Sequence, residues 1–120
     1  MTKRQQYEKG ISGESQAERY LISCGMERLE SRFRAEDGEI DLIMLYQGMI
    51  VFVEVKYRPN GLPGSGLMAV TPNKQRRMAR AAAAYLAKRE EMDLPVRFDV
   101  VEITRAGVMH LPNAFQPGNW

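Results

Sequence analysis

Two acidic residues and a lysine lie in the middle of the chain, within segments that otherwise consist mostly of aliphatic and aromatic residues. Asp41 follows Ile40 in one such segment, and Glu54 and Lys56 end the next. Side chains of a β-strand alternate between the two faces of a sheet, so Glu54 and Lys56 are expected to share a face. Carboxylates beside a lysine are groups that can bind a divalent metal and hydrolyse a phosphodiester.

The turn between the two segments predicts how these residues meet. Gln47-Gly48 is typical of a two-residue hairpin loop. Counting back from this loop places Asp41 opposite Glu54, with the two side chains on one face. It also places Glu39 opposite Lys56, as a rival partner for the lysine. Two acids directly across a sheet are destabilising unless something compensates them, and a divalent cation such as Mg²⁺ is the obvious compensator.

The alternative is a surface hairpin without a metal. In that arrangement Lys56 bridges Glu39 and Glu54, and Asp41 is solvated. Salt bridges of this kind are common on exposed sheets. The many apolar residues around these charges, together with the apposition of two acids, favour the metal site.

The hydrophobic pattern predicts two helices and five strands in the order α-β-β-β-α-β-β. The first helix is expected over residues 13–24 after an N-cap at Ser12, and the second begins with Thr71 as N-cap and Pro72 and runs to about residue 91. The strands are expected over residues 29–34, 39–46, 49–57, 96–103 and 108–111. Residues 59–66 are expected to form a loop, and Pro112 to end the last strand, which makes 112–120 an irregular tail. This order predicts an α/β fold, a central mixed sheet flanked by helices.

Composition limits the classes of function. The chain has 120 residues, 44% hydrophobic and 27% charged, which is typical of a single globular domain spanning 1–120. Cys24 is the only cysteine and His110 the only histidine, so intramolecular disulfides, thiolate clusters and multi-histidine sites are excluded. His110 is expected to be structural or exposed, and Asp99 to pair with a structural cation. Neither a signal peptide nor a membrane span is indicated, so a cytoplasmic protein without a membrane partner is expected.

Basic residues are unevenly distributed, although the net charge is only +2. Four of them occur between residues 74 and 80 without an acid: Lys74, Arg76, Arg77 and Arg80. Such a stripe is either a solvated helix face or, beside a catalytic site, a surface that binds nucleic acid. Arg58 continues the strand phase of Lys56, and Lys74 lies in the first helical turn, where amides and a cation can bind phosphate. Arg58, Lys74, Arg76 and Arg77 are therefore the candidates for binding nucleic acid.

An acid on one strand followed by Glu-x-Lys on the next resembles the signature of the PD-(D/E)XK nuclease superfamily. In this chain the signature is Asp41 and Glu54-Val55-Lys56, with Ile40 where the superfamily often has proline. A wider set of segments is similar to the YraN family of small bacterial proteins over nearly the whole chain: Gly13-Glu14 with Ala17 and Tyr20-Leu21, GEIDLI, VFVEVKYR, the helix with Lys74, RFDVV, and His110 to Phe115. That family is considered related to archaeal Holliday-junction resolvases.

This resemblance implies a restriction-endonuclease-like fold and a Mg²⁺- or Mn²⁺-dependent endonuclease acting on DNA, including branched or structured DNA. It implies that Asp41, Glu54 and the carbonyl of Val55 bind the metal, and that Lys56 positions the attacking water. Glu14 is expected to be a further acid of the site; its alternative role is to complement the dipole of the first helix. Because such sites cut two strands in pairs, a homodimer is expected. The competing functions are a nucleic-acid-binding protein with a weak or silent site and a protein-interaction module.

Overall fold

Five strands form one mixed sheet whose spatial order follows the sequence, β1-β2-β3-β4-β5. The computed structural model describes residues 3–62, 70–90 and 93–116, and side chains from residue 13 onwards. The helices are α1 (Lys3–Ser23) and α2 (Pro72–Arg89), and the strands are β1 (Glu27–Ala35), β2 (Gly38–Tyr46), β3 (Met49–Arg58), β4 (Val96–Thr104) and β5 (Gly107–Phe115). Among the strands of the described residues, only β3 and β4 pair in parallel. The predicted order is confirmed, and the arrangement matches a restriction-endonuclease-like α/β fold.

The two helices cover the two faces of the sheet. Under α2, side chains such as Met78 and Tyr85 pack with Ile50 and Phe52 of β3. Under α1, Ala17 and Leu21 pack with the β3 residues of opposite phase, which include Val51 and Val53. The alternation of β3 therefore supplies both hydrophobic cores, and its central position in the sheet buries both of its faces.

The β2–β3 hairpin has the predicted turn and register. Gln47 and Gly48 have φ values of 51° and 78°, as a tight turn with two left-handed residues requires. Five pairs follow, from Tyr46↔Met49 to Leu42↔Val53. A slip by one residue would have moved every apolar side chain to the wrong face, which is why the hydrophobic pattern determines this register.

Helix α2 begins as predicted. The Thr71 side chain accepts a hydrogen bond from the Lys74 backbone N–H at 3.2 Å, and Pro72 occupies the first turn. The helix ends at Arg89, with Glu90 as a left-handed C-cap. This end is earlier than predicted, and residue 91 lies outside the described residues.

Two predicted boundaries are wrong by several residues. Helix α1 begins at Lys3 and not after Ser12, because the preceding residues are mostly Lys, Arg, Gln and Glu, which favour helix. Strand β5 continues past Pro112 to Phe115, so residues 112–115 are not part of an irregular tail. Residues 117–120 of that tail and 63–66 of the predicted loop lie outside the described residues.

Pro112 is accommodated by an irregular register between β4 and β5. Phe98 pairs with Phe115 and Val100 pairs with Leu111, so the single β4 residue between these pairs faces three residues of β5. The extra residues form a bulge, in which proline need not donate to the ladder. Asn113 in this bulge has φ 52° and donates its backbone N–H to Asp99 at 3.0 Å.

Two glycines allow close contacts between helix and sheet. A Cβ on Gly13 of α1 would lie 3.0 Å from the ring of Tyr57 in β3. A Cβ on Gly38, the first residue of β2, would overlap the backbone carbonyl of Arg77 in α2. Glycine at these positions brings both helices close to the ends of β2 and β3 that carry the conspicuous charged residues.

Candidate active site

Asp41 lies where the pairing of β2 with β3 stops. The last backbone pair is Leu42↔Val53, although both strands continue. Beyond it, the Asp41 carboxylate contacts the neighbouring strand, because Oδ2 accepts a hydrogen bond from the Val55 N–H at 2.8 Å. Strand alternation also breaks here: Ile40 packs under α2 and Leu42 packs under α1, whereas residues two apart on a regular strand share a face. The Asp41 carboxylate thus takes the place of a backbone carbonyl at the fork, the point where the pairing of β2 with β3 ends.

The surroundings of Asp41 favour its protonated form. The pKa of this carboxyl is raised to about 7, chiefly by burial and then by the charges of Glu54 and Glu14. The hydrogen bond from Val55 and the charge of Lys74 act in the opposite direction. Three predicted acids, Glu14, Asp41 and Glu54, are therefore close enough to interact electrostatically, and they repel one another when ionised.

Glu54 is 4% exposed and contacts two lysines. Its Oε1 lies 3.5 Å from the Lys56 Nζ and 3.4 Å from the Lys74 Nζ. Lys56 follows on the same strand face as predicted, whereas Lys74 reaches the site from the first turn of α2.

The expected contact between Glu39 and Lys56 is not formed. Glu39 pairs instead with Arg34 at 3.5 Å, since β2 no longer pairs with β3 at this point. The alternative with a solvated Asp41 and a lysine bridge to Glu39 is also wrong, because Asp41 is half-buried and bonded to Val55.

Arg32 is a site residue that sequence reasoning missed. Its Nε donates to Glu14 Oε2 at 2.8 Å, and the flanking pairs of the β1–β2 ladder place it across from Asp41. Its φ of 52° is unusual for a residue with a long side chain. The two-residue turn Glu36-Asp37 pairs Ala35 with Gly38, and counting back from that turn would have placed Arg32 opposite Asp41.

A groove extends from Asp41 between α1 and β1. One cavity of about 170 Å³ is lined by Asp41, Arg34 and Glu39, and a second of about 350 Å³ by Arg28, Glu18 and Ser31, among others; Glu14 and Arg32 line both. Three arginine–acid pairs border the groove: Arg34–Glu39 at 3.5 Å, Arg32–Glu14 at 2.8 Å and Arg28–Glu18 at 3.6 Å. The groove thus carries cations that already have anionic partners on the protein.

The other candidates for binding nucleic acid lie outside this cluster. Arg58 is exposed at the end of β3, and Arg76 and Arg77 are exposed on α2. Within the described ranges, the structure gives none of the three an ion pair. Of the four candidates, only Lys74 joins the carboxylates.

Asp99 and His110 form a separate structural network. Asp99 is fully buried and accepts two hydrogen bonds from Arg97, at 2.7 and 2.9 Å, and one from His110 Nε2 at 2.7 Å. Burial raises the pKa of Asp99, but the hydrogen bonds from His110, Arg97 and Asn113 outweigh it and lower the pKa overall. The Tyr20 hydroxyl of α1 lies 3.3 Å from His110 Nδ1. The expected pairing of Asp99 with a cation is confirmed, and Arg97 is that cation.

Glu102 is a second residue that the pattern did not single out. It is fully buried on β4, where the parallel register makes it the neighbour of Lys56. A glutamate within the apolar segment Val100–Ile103 was the available signal. Among the described residues, no three His, Cys, Asp or Glu side chains are grouped so as to hold a metal.

The fold and the charged cluster define a restriction-endonuclease-like α/β domain with a carboxylate pair at the fork between two strands. The chain belongs to the uncharacterised protein family UPF0102, whose model matches residues 13–103; the resemblance to the YraN family is thereby confirmed. In the described part of the chain, neither helix is both long and apolar enough to cross a membrane.

Curated relatives match over most of their length. A UPF0102 protein of Geobacter metallireducens is 45% identical over 111 residues, which cover 89% of this chain and 91% of the relative. One from Saccharophagus degradans is 40% identical over 109 residues, 90% and 92% of the two chains. One from Clostridioides difficile is 38% identical over 110 residues, 90% and 96% of the two chains.

Proposed function

We propose that this protein is a divalent-cation-dependent endonuclease that hydrolyses phosphodiester bonds in DNA, including branched or structured DNA. The observation that carries the proposal is the position of Asp41 beside the Glu54-Val55-Lys56 segment: its carboxylate accepts the Val55 N–H at 2.8 Å, and the charge of Glu54 is, after burial, a cause of its raised pKa. Two carboxylates brought together in a half-buried position reduce stability unless a cation binds between them. Such an arrangement is expected where binding a cation is the purpose of the site.

The donor set fits Mg²⁺ or Mn²⁺. Asp41 uses Oδ2 for the Val55 N–H, so Oδ1 remains for a cation. Glu54 directs Oε1 towards the lysines, so Oε2 remains. Mg²⁺ commonly binds one or two carboxylates and keeps several waters. The superfamily resemblance adds the Val55 carbonyl as a ligand and Glu14 as an assisting acid.

A bound divalent cation would polarise the phosphodiester and activate a water for attack. Lys56 lies beside the carboxylates with its side chain 17% exposed, so its ammonium can orient that water and stabilise negative charge that develops on the phosphate. Glu54, at 3.5 Å, holds the ammonium on this side of the sheet.

The groove between α1 and β1 supports a nucleic-acid backbone as the substrate. Arg28, Arg32 and Arg34 border it, and each can exchange its carboxylate partner for a phosphate, which arginine binds with similar geometry. Arg58, Arg76 and Arg77 would extend the contacts along the strand. A homodimer would supply the second site required to cut both strands, an inference from the superfamily alone.

A nucleic-acid-binding protein without turnover is the second candidate. The two lysines at Glu54 favour it, because they neutralise this carboxylate without a metal. A protein-interaction module is the remaining alternative, and in that case neither nucleic acid nor divalent cations would bind.

A cleavage assay tests the proposal. Purified protein is incubated with branched, single-stranded and duplex DNA, with Mg²⁺, Mn²⁺ or EDTA. Cleavage that requires the metal and is lost in Lys56→Ala and Asp41→Ala is the expected result. Asp37→Asn, in the exposed β1–β2 turn, is a control that should cut like the wild type.

Three other results contradict the proposal. Binding that weakens with salt, without cutting, supports the second candidate. The absence of both DNA binding and metal binding supports the interaction module. Equal cleavage by wild type and Lys56→Ala identifies a contaminating nuclease.

A further inference from the structure

Lys74 holds an unexpected position for a residue of a basic helix face. Its Nζ lies 3.4 Å from Glu54 Oε1, the same oxygen that Lys56 approaches to 3.5 Å. The start of α2 is fixed on both sides of it: Thr71 caps the helix, and the Gln75 side chain donates to the Val70 carbonyl at 3.0 Å. The backbone of Lys74 is therefore held beside Glu54 by the start of α2.

The carboxylates of the cluster lie beside cations of the protein when no divalent cation is bound. Glu54 contacts Lys56 and Lys74, and Glu14 contacts Arg32. The affinity of an oxygen site for a divalent cation rises with the negative charge of its ligands. Cations of the protein at the same carboxylates therefore compete with the metal.

Of the two lysines at Glu54, Lys74 is the one suited to leave. Lys56 follows Glu54 by two residues on the same strand, so it remains on the same face of the sheet. Lys74 belongs to a different element, and its side chain is 28% exposed, compared with 17% for Lys56. A modest rotation of the Lys74 side chain can carry its ammonium into solvent, or to a phosphate of bound nucleic acid, without moving the backbone.

We propose that Lys74 is a positioning residue: it is the counter-ion of Glu54 in the metal-free site and is displaced when a divalent cation binds. This inference rests on the proposed function, since it assumes a cation at Asp41 and Glu54. It gives Lys74 a role that a phosphate contact alone would not have, because its removal should strengthen metal binding. It also keeps a buried glutamate paired before the metal arrives.

Titration calorimetry with Mn²⁺ alone, on the full chain without nucleic acid, tests this role. Lys74→Gln removes the charge and should bind Mn²⁺ roughly tenfold more tightly than the wild type, which corresponds to about 1.4 kcal/mol. Lys74→Arg keeps the charge and should bind like the wild type. Lys88→Gln makes the same change of charge in the last turn of α2, roughly 21 Å along the helix, and should also bind like the wild type.

The outcomes separate this inference from the proposed function. Equal or weaker Mn²⁺ binding by Lys74→Gln, with binding abolished in Asp41→Asn, overturns the counter-ion role and leaves the metal site in place. A similar gain in Mn²⁺ affinity in Lys88→Gln attributes the effect to net charge and also overturns the counter-ion role of Lys74. If none of the variants binds Mn²⁺, the metal-dependent function fails together with the inference.

Discussion

Replacement of Asp41 by asparagine should stabilise the metal-free protein at neutral pH. Asparagine keeps an oxygen that can accept the hydrogen bond from the Val55 N–H, which Asp41 receives at 2.8 Å. It removes the charge that burial and Glu54 make unfavourable. A substitution at a candidate catalytic residue is thus expected to strengthen the fold.

The magnitude follows from the pKa of Asp41, which rises from 3.8 to about 7 on folding. That difference corresponds to about 4 kcal/mol at full ionisation, or about 2 kcal/mol if solvent screens half of it. Between these two pKa values the folded carboxyl retains a proton that the unfolded chain releases. The contribution of Asp41 to the free energy of unfolding is therefore fully present below about pH 4 and is lost as the pH rises through about 7. Wild type and Asp41→Asn should therefore differ little at pH 4 and by about 2–4 kcal/mol above pH 7.

Urea denaturation followed by circular dichroism, at several pH values between 4 and 8 and with EDTA present, measures this difference. Asp37→Asn makes the same chemical change in the exposed turn before β2 and should stay within about 0.5 kcal/mol of the wild type at every pH. Addition of Mg²⁺ should stabilise the wild type and leave Asp41→Asn unchanged. An Asp41→Asn protein that is less stable than the wild type at pH 8 would refute the reasoning.

Two further substitutions test the packing that supports the site. Asp99→Asn should lower the free energy of unfolding by about 3–5 kcal/mol at pH 7, because it leaves Arg97 without its buried anion. Since the pKa of Asp99 is lowered by folding, the stability that Asp99 contributes is present above its ordinary pKa and is lost as the pH falls below it, opposite to Asp41. A denaturation series extended below pH 4 would show no such loss if the network were unimportant. Gly38→Ala should lower the free energy of unfolding by about 1–3 kcal/mol, because the new Cβ meets the Arg77 carbonyl and forces α2 away from β2. An unchanged unfolding midpoint would contradict this close contact, and so would a loss of stability no larger than that of the exposed Glu39→Ala.

The order of the elements and the hairpin register were predictable because each follows from a local rule. The alternation in β3 and the turn at Gln47-Gly48 define the pairing as far as Leu42↔Val53. The predicted pairing beyond this point was wrong in detail, because it assumed that β2 remains a regular strand. Instead, the Asp41 carboxylate accepts a hydrogen bond from the Val55 N–H, and the alternation of side chains breaks. Local patterns cannot reveal a side chain that replaces a backbone partner.

Other features depended on contacts between distant segments. Pro112 ordinarily ends a strand, but the bulge opposite Val100, supported by the hydrogen bond from Asn113 to Asp99, lets β5 continue. The position of Lys74 beside Glu54 depends on how α2 packs against the sheet. Neither contact leaves a periodic signal in the sequence.

The hydrogen bond between Asp41 and Val55 has an evolutionary consequence. Asparagine at this position would serve the sheet equally well and would avoid the electrostatic cost, so selection for folding alone favours asparagine. Aspartate should persist only while a cation is bound there. Under the proposed function, relatives that keep the fold but no longer bind a cation at this position are therefore expected to change from Asp to Asn at the position of Asp41.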